Sequence, residues 1–182
     1  MSGEPLQRAR RLLAGVEKNH APATFGCGFA AADMVVLDLI ARDGLAIDIF
    51  TIDTGCLSRR THALIARVRK DYGLEIRTFY PWPGAIDAYL EQYGSDEGME
   101  AREAGHAIRF DEPLARALAR KRGWVTARRS ENDVALDPMH GIWTFSPLAG
   151  WSEDEVRDYL RANRVPWNDD RRTLRAEALE QA

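Results

Sequence analysis

The sequence predicts a single α/β domain, residues 1–182, built on an open, mostly parallel, twisted sheet with helices on both faces. Short apolar runs alternate with helical patterns through the first half of the chain, as expected of parallel strands joined by crossover helices. Glycine closes successive helical segments at Gly44, Gly73 and Gly94. A length of 182 residues suits one domain, and no repeat or linker divides it.

The chain opens with a helix and a buried strand–helix unit. Apolar residues at three- and four-residue spacing predict an N-terminal helix over residues 5–19, lying on the core. Ala23–Gly26 is the expected first strand, and Cys27-Gly28 is its turn. Residues 30–42 are almost wholly apolar, which predicts a helix buried on every side.

Two further strand–helix units follow. Residues 45–52 are typical of a central strand buried on both faces, and Asp53-Thr54-Gly55 breaks the run. An amphipathic helix is expected over 58–72, a third strand over 75–80 and a helix over 85–93.

The second half is less regular. Residues 95–107 predict a loop or short helix, and residues 112–122 a helix closed by Gly123. Short strands are expected at 124–127 and 141–145.

A capping box marks the last predicted helix. Ser152 precedes Glu155 by three residues, which predicts a helix from there to about Asn163. The polar segment 169–182 is expected to be a solvated helix or a frayed end. The predicted core therefore covers about residues 24–168.

Composition excludes several classes of protein. Hydrophobic residues make up 45% and charged residues 29%, as in globular proteins, and the net charge of −3 gives no general reason to expect nucleic acid. Arg128 and Arg129 leave room for a local basic patch. No run approaches the roughly 18 apolar residues of a membrane span, and no secretory signal is recognised. We expect a cytoplasmic protein.

Candidate ligand-binding residues follow the predicted strands, because open parallel sheets bind ligands beyond their carboxyl ends. Gly26 and Gly28 lie in a loop that either presents N–H groups to an anion or is simply a tight turn. Asp53 is either a ribose or base contact or a turn former. Arg109 and Arg129 either bind phosphate through their planar guanidinium groups or are solvated.

The two cysteines, Cys27 and Cys56, each follow a predicted strand. Two cysteines make neither a disulfide framework nor a four-cysteine site. We interpret them as free thiols. The sharper alternatives are a redox pair, or a metal site completed by His62 or His106. With only two cysteines and free thiols as the main interpretation, we expect no resident metal and no iron–sulfur cofactor.

Four segments together resemble the sulfonucleotide (PAPS/APS) reductases: residues 32–55, 102–118, 123–132 and 141–168. The resemblance extends from about Thr24 to Asn168. It implies a Rossmann-like sheet of the adenine-nucleotide α-hydrolase type. It also implies reduction of an adenosine phosphosulfate to sulfite by a cysteine on a C-terminal tail. The implied nucleotide-binding residues are Gly26, Gly28, Asp53, Thr54, Gly55, Arg109 and Arg129.

The chain departs from that family at the positions that carry its chemistry. No cysteine follows Cys56, and Gly105-His106 stands where the cluster-binding branch has a cysteine pair. Further departures are Gly28, Ala30 and Ala32 in the phosphate loop. Phe110 stands at the basic position after the cysteine pair, and Ala127 replaces the glycine of the Thr-Gly-x-Arg motif. A thiosulfonate intermediate requires a thiolate, which serine cannot replace.

Three hypotheses follow. The first is a pseudoenzyme that binds an adenine nucleotide or a partner, such as another sulfur-assimilation protein, without reductase chemistry; a homodimer is left open. The second is an active reductase that uses Cys27, Cys56 or a partner's thiol. The third is an interaction scaffold whose pocket is closed, as the bulk of Phe110 suggests. None involves nucleic acid or a membrane.

Overall fold

A computed structural model describes residues 3–55, 57–94 and 98–168. Cys56 and the predicted tail 169–182 lie outside the described residues. Six strands form one sheet in the order β3-β2-β1-β4-β6-β5. The strands are β1 (Ala23–Gly26), β2 (Ile47–Ile52), β3 (Ile76–Phe79), β4 (Gly123–Val125), β5 (Val134–Asp137) and β6 (Ile142–Phe145). All neighbouring pairs are parallel except β5 with β6, so the predicted mostly parallel sheet is confirmed.

The described helices are α1 (Gly3–Asn19), α2 (Ala31–Arg42), α3 (Arg59–Tyr72), α4 (Pro83–Tyr93), α5 (Met99–His106), α6 (Glu112–Leu118) and α7 (Glu153–Ala162). A π-helical turn, Ala107–Asp111, joins α5 to α6. Ser152 and Glu155 form the predicted capping box at the start of α7.

Helices cover both faces of the sheet. One core joins the sheet to the buried sides of α1, α2, α3 and α7. A smaller core on the other face packs Phe50, Ile52, Trp124 and Ile142 of the strands against α6. The two cores account for the predicted two-faced burial of the central strand β2.

The second half differs from prediction in two elements. The helix expected over 112–122 already ends at Leu118, and Arg120 takes a positive φ of 65°. Gly123 is the first residue of β4 and does not close a helix. Strand β5 was not predicted, because it forms only by antiparallel pairing with β6.

Two of the tryptophans, Trp124 and Trp151, are buried in the core, whereas Trp82 and Trp143 are 58% and 47% exposed. No helix in the described ranges is both long and apolar enough to cross a membrane.

A buried carboxylate ties three helices together. Asp38 of α2 is fully buried, and both of its oxygens accept from Arg42 Nε, at 2.9 and 2.8 Å. The hydroxyls of Tyr72 in α3 and Tyr159 in α7 each donate to Asp38 at 2.7 Å. Burial, followed by these hydrogen bonds to Asp38, raises the pKa of both tyrosines.

Gly123 is a glycine for steric reasons. A Cβ atom there would lie 3.0 Å from His20 Cβ and 3.3 Å from the Phe145 ring. We expect Gly123→Ala to lower the free energy of unfolding by about 1 kcal/mol, because the neighbours must shift. Gly15 in α1 has nothing within 4 Å of the same position. Gly15→Ala is therefore the matched control, and should stabilise the protein by about 0.5–1 kcal/mol. Urea unfolding of both variants checks the expected opposite signs.

Candidate functional site

The sheet order identifies the crevice where a ligand is expected. The chain runs from β1 outward to β2 and β3, whereas β4 begins the other half of the sheet. In open α/β sheets, ligands bind outside the carboxyl ends of the strands at which the order reverses. Here that switch point lies between β1 and β4, which pair in parallel with Phe25 beside Val125. The loops that begin at Cys27 and Thr126 therefore border the crevice.

The loop after β1 has an unusual backbone. Phe29 is fully buried and takes a positive φ of 64°, a conformation that few non-glycine residues adopt. On either side of it, the N–H groups of Gly28 and Ala30 both donate to Asp33 Oδ2 at 3.0 Å. The carboxylate of Asp33 thus occupies the two donors that an anion would use.

Asp33 is an electrostatically unusual group. Burial raises the pKa of Asp33 to about 6, although the hydrogen bonds from Ala30 and Gly28 act in the opposite direction. A carboxylate that titrates near neutral pH therefore caps the start of α2. The sequence interpretation missed Asp33, because Ala30 at the helix cap lacks the hydroxyl that marks a capping box.

Gly26 and Gly28, the glycines predicted to lie in a nucleotide-binding loop, each have a structural role in this loop. A Cβ atom at Gly26 would lie 3.0 Å from the Phe50 ring and 3.3 Å from Trp124 Nε1. Close packing therefore accounts for Gly26 without a ligand. The N–H of Gly28 already has Asp33 as its acceptor. A role for either glycine in binding a nucleotide stays a prediction.

Cys27 lies in the same loop but is poorly suited to attack a substrate. It is only 3% exposed. Burial, and then the negative charge of Asp33, raise the pKa of the Cys27 thiol well above its ordinary value. Because the thiolate is the reactive form, Cys27 is expected to be inert. Its predicted pairing with Cys56 lies outside the described residues.

This inertness gives a prediction. In a Cys56→Ser variant, which leaves Cys27 as the only thiol, we expect Cys27 to react with a thiol reagent at least about tenfold more slowly in the native protein than in urea. Absorbance of the released reagent measures both rates. Similar rates in the two states would contradict the burial argument.

The turn after β2 brings several predicted residues together. Asp53 is buried, and its Oδ1 accepts from the N–H of Gly55, which has a φ of 85°. Asp53 Oδ2 lies 3.7 Å from His62 Nε2 in α3. The carbonyl oxygen of Thr54 accepts from Arg109 Nη1 at 3.4 Å. Asp53, Thr54, Gly55 and Arg109 are therefore neighbours.

The π-helical turn carries Arg109, whose side chain reaches the Asp53-Thr54-Gly55 turn. π-helical insertions are rare and occur frequently at functional sites. The guanidinium lies 5.8 Å from the ring centre of Tyr89, and no carboxylate among the described residues pairs with it. Arg129, on the loop after β4, is exposed and similarly has no described acidic partner. A role for either arginine in binding an anion stays a prediction.

The position of the family's cysteine pair does not fit an iron–sulfur cluster. A Cβ atom at Gly105 would lie 3.2 Å from the Tyr89 hydroxyl, and His106 Nδ1 contacts Asp111 at 3.2 Å. Four-iron clusters are held by cysteine thiolates, and residues 98–112 contain no cysteine. Phe110 packs against the smaller core, in contact with the His106 ring.

The hypothesis of a metal site with His62 or His106 finds no support in the described part of the chain. No three His, Cys, Asp or Glu side chains converge there to hold a metal ion. His62 and His106 each contact a single carboxylate, on Asp53 and Asp111 respectively.

Comparison with known proteins agrees with this architecture. The family model described as "Phosphoadenosine phosphosulfate reductase domain" matches residues 23–169. The adenosine 5'-phosphosulfate reductase of Burkholderia cepacia is 38% identical over 174 residues, which cover 90% of this chain and 70% of the relative. The enzyme of the same name from Allochromatium vinosum is 39% identical, covering 88% of this chain and 67% of its own length.

Solved structures show the same fold. The phosphate complex of the phosphoadenylyl-sulfate (PAPS) reductase from Candida auris superposes with a TM-score of 0.77 at 21% identity, covering 88% of this chain and 81% of that one. The NH3-dependent NAD synthetase of Campylobacter jejuni gives a TM-score of 0.63 at 14% identity, covering 91% and 75%. At these identities the likeness concerns the fold alone.

Proposed function

Because the chain belongs to the phosphoadenosine phosphosulfate reductase family, we propose that it binds an adenosine phosphosulfate at the carboxyl edge of its sheet and acts in sulfate assimilation. The observation that carries this proposal is the contact between Arg109 and the Asp53-Thr54-Gly55 turn. A carboxylate and a guanidinium beside one strand end provide complementary contacts for a ribose hydroxyl and for an anionic group.

Reductase activity is the version of this proposal that the relatives favour. Two relatives named adenosine 5'-phosphosulfate reductase share 38% and 39% identity with most of the chain. In this reaction a thiolate attacks the sulfur, the S–O bond breaks, and AMP leaves with the bonding electrons. A second thiol then attacks the resulting thiosulfonate, so that sulfite departs with two electrons and a disulfide remains.

The structure narrows the choice of thiol within that proposal. Cys27 is buried and its pKa is raised, so it is a poor nucleophile at neutral pH. Of the two cysteines in this sequence, Cys56 is therefore the candidate nucleophile; otherwise the attacking thiol lies outside these residues, for example on a thioredoxin-like partner.

Nucleotide binding without reduction remains the second candidate. It is favoured by Gly105 and His106, which supply no thiolate at the positions where the family resemblance implies a cluster-binding cysteine pair. Such a protein would use the same nucleotide contacts to regulate or assist a reductase. The predicted homodimer and cytoplasmic location belong to this proposal as predictions.

Two measurements on the purified chain test the proposal. Calorimetry with adenosine 5'-phosphosulfate, PAPS and AMP should show binding of at least one of them. A sulfite assay with reduced thioredoxin should then be run on wild type, Cys27→Ala and Cys56→Ser. Activity in Cys27→Ala but not in Cys56→Ser supports the local-thiol reductase, and activity in both supports a partner's thiol.

The remaining outcomes distinguish the other candidate functions. Binding without sulfite from any variant supports the second candidate. If no adenosine phosphate binds at millimolar concentration, the proposal is wrong and a scaffold with a closed pocket is favoured. Loss of sulfite in Cys27→Ala alone would contradict the inertness of Cys27.

A further inference from the structure

The guanidinium of Arg109 is positioned by two contacts, neither of which is with a carboxylate. Its Nη1 donates to the carbonyl oxygen of Thr54 at 3.4 Å, which is longer than a typical N–H···O bond. The guanidinium carbon lies over the Tyr89 ring, 5.8 Å from the ring centre. Because fixing a long side chain costs rotamer entropy, one long hydrogen bond provides little restraint. The Tyr89 ring supplies the second contact.

The position of the Tyr89 ring is defined by neighbours on α4 and α5. A Cβ atom at Gly105 in α5 would lie 3.2 Å from the Tyr89 hydroxyl oxygen and 3.3 Å from Cζ. Gly105 is buried, and its lack of a side chain leaves the space that the Tyr89 ring occupies. The ring of Tyr93, one turn further along α4, has its centre 5.3 Å from that of Tyr89. Tyr89 is therefore a packed group that restrains Arg109.

A second arginine beside an aromatic ring shows a different arrangement. Arg116 lies 4.7 Å from the ring centre of Trp82, and it also pairs with Glu112 at 2.5 and 2.9 Å. That carboxylate accepts from two nitrogens of the guanidinium and balances its charge. An aromatic ring attracts a cation through its quadrupole but carries no net charge. Tyr89 therefore positions Arg109 without balancing its charge or accepting its in-plane N–H groups.

We propose that Tyr89 is a positioning residue: its ring holds the Arg109 guanidinium beside the Asp53-Thr54-Gly55 turn, with N–H donors left for the anionic group of an adenosine phosphosulfate. The inference rests on the proposed function and deepens it, because it adds a residue that acts through Arg109 without contacting the ligand. It also gives a reason for glycine at position 105, where a side chain would displace the ring.

The first test measures binding of adenosine 5'-phosphosulfate to Tyr89→Leu and Tyr89→Phe by calorimetry. Leucine removes the ring, so we expect the dissociation constant to rise about five- to tenfold, within the range for loss of a cation–π contact. Phenylalanine keeps the ring face, so the constant should change less than about twofold. Binding of adenosine, which carries no anionic group, should be the same in wild type and both variants.

A double-mutant cycle tests whether Tyr89 acts through Arg109. Arg109→Met alone should weaken phosphosulfate binding at least as much as Tyr89→Leu does. In the Arg109→Met background, Tyr89→Leu should have no further effect, because the group that the ring positions is gone. A ring with a merely structural role would weaken binding by the same factor in both backgrounds.

Gly105→Ala displaces the ring without removing it, and it keeps the inference testable if Tyr89→Leu does not fold. We expect it to weaken phosphosulfate binding at least about twofold. The effect should be smaller in the Tyr89→Phe background, which lacks the nearest clashing atom. Gly84→Ala in α4 is the matched control, because nothing lies within 4 Å of a Cβ atom there. Trp82→Leu is a second control, since Glu112 already pairs with the arginine beside that ring. Both controls should leave binding unchanged.

The inference is overturned, and the proposed function stands, if wild type and Tyr89→Leu bind the phosphosulfate equally. It is also overturned if Tyr89→Phe loses as much affinity as Tyr89→Leu, or if Tyr89→Leu weakens binding equally with and without Arg109. An equal loss of adenosine binding would likewise contradict it. If wild type binds neither ligand, both the inference and the proposed function are wrong.

Discussion

Replacing Asp38 with alanine is expected to lower the free energy of unfolding by about 3–5 kcal/mol, the usual effect of breaking a buried charge pair. The reason is the number of groups that lose their acceptor at once. Arg42 and the hydroxyls of Tyr72 and Tyr159 all donate to this carboxylate. A loss of that size is a large fraction of the roughly 5–15 kcal/mol that stabilises a typical domain.

Urea unfolding followed by circular dichroism measures the effect. Asp43 provides the matched control, because it pairs with Arg10 at 3.3 Å on a partly exposed surface. Asp43→Ala should cost less than about 1 kcal/mol.

Single-hydroxyl variants keep the prediction testable if Asp38→Ala does not fold. Tyr72→Phe and Tyr159→Phe each remove one hydrogen bond to the carboxylate, and each should cost about 1–3 kcal/mol. An Asp38→Ala protein as stable as Asp43→Ala would mean that the three-helix cluster contributes little.

Replacing Asp33 with asparagine is expected to stabilise the protein at pH 7 by about 3 kcal/mol, with little gain at pH 4. The pKa of Asp33 is raised from 3.8 to about 6 in the folded state. The unfolded chain therefore loses its proton at a lower pH than the folded protein does. Wild-type stability consequently falls as pH rises from about 4 to about 6, and the asparagine variant lacks this fall.

The asparagine side chain keeps a carbonyl oxygen that can accept from Gly28 and Ala30, which makes it a charge-only substitution. Unfolding in urea at pH 4, 5, 6 and 7 should show the gap between variant and wild type opening across that range. Asp33→Ala, which removes the acceptor as well, should lose about 1 kcal/mol of capping energy at pH 4. A gap that does not change with pH would show that Asp33 is not raised in pKa.

The scarcity of cysteines and the burial of Cys27 together restrict which thiol could reduce an adenosine phosphosulfate. A thiosulfonate route needs an accessible thiolate, and Cys27 does not provide one. The nucleotide contacts and the reductase chemistry can therefore be tested separately in this chain. Asp53 and Arg109 bear on the first, and Cys56 or a partner's thiol bears on the second.

Local patterns were enough to predict much of the fold. Strand β1 and the capping box at Ser152 were predicted at their observed positions, because each depends on a few consecutive residues. The buried helix α2 followed from its nearly continuous apolar character. The Asp53 turn followed from the break after a buried strand. The early end of α6 was missed because contacts distant in sequence follow it, such as the hydrogen bond from the Arg122 N–H to the Pro22 carbonyl oxygen. Strand β5 was missed because it is a short, mostly exposed edge strand without alternating burial.

The sequence by itself determined the alternation of strands and helices through β3 and the scarcity of thiols, and it predicted a ligand at the carboxyl edge of the sheet. Tertiary structure alone decided how the polar groups are partnered. Asp38 appears in the sequence as an interruption of an apolar run, yet its partner Tyr159 lies 121 residues away. The Asp33 carboxylate accepts a hydrogen bond from the Gly28 N–H in the loop before it, and the Arg128 Nε atom is buried without a hydrogen-bond partner among the described residues. The spacing of hydrophobic residues and the composition of the sequence indicate which residues are buried. Only the folded chain brings donors and acceptors within hydrogen-bonding distance.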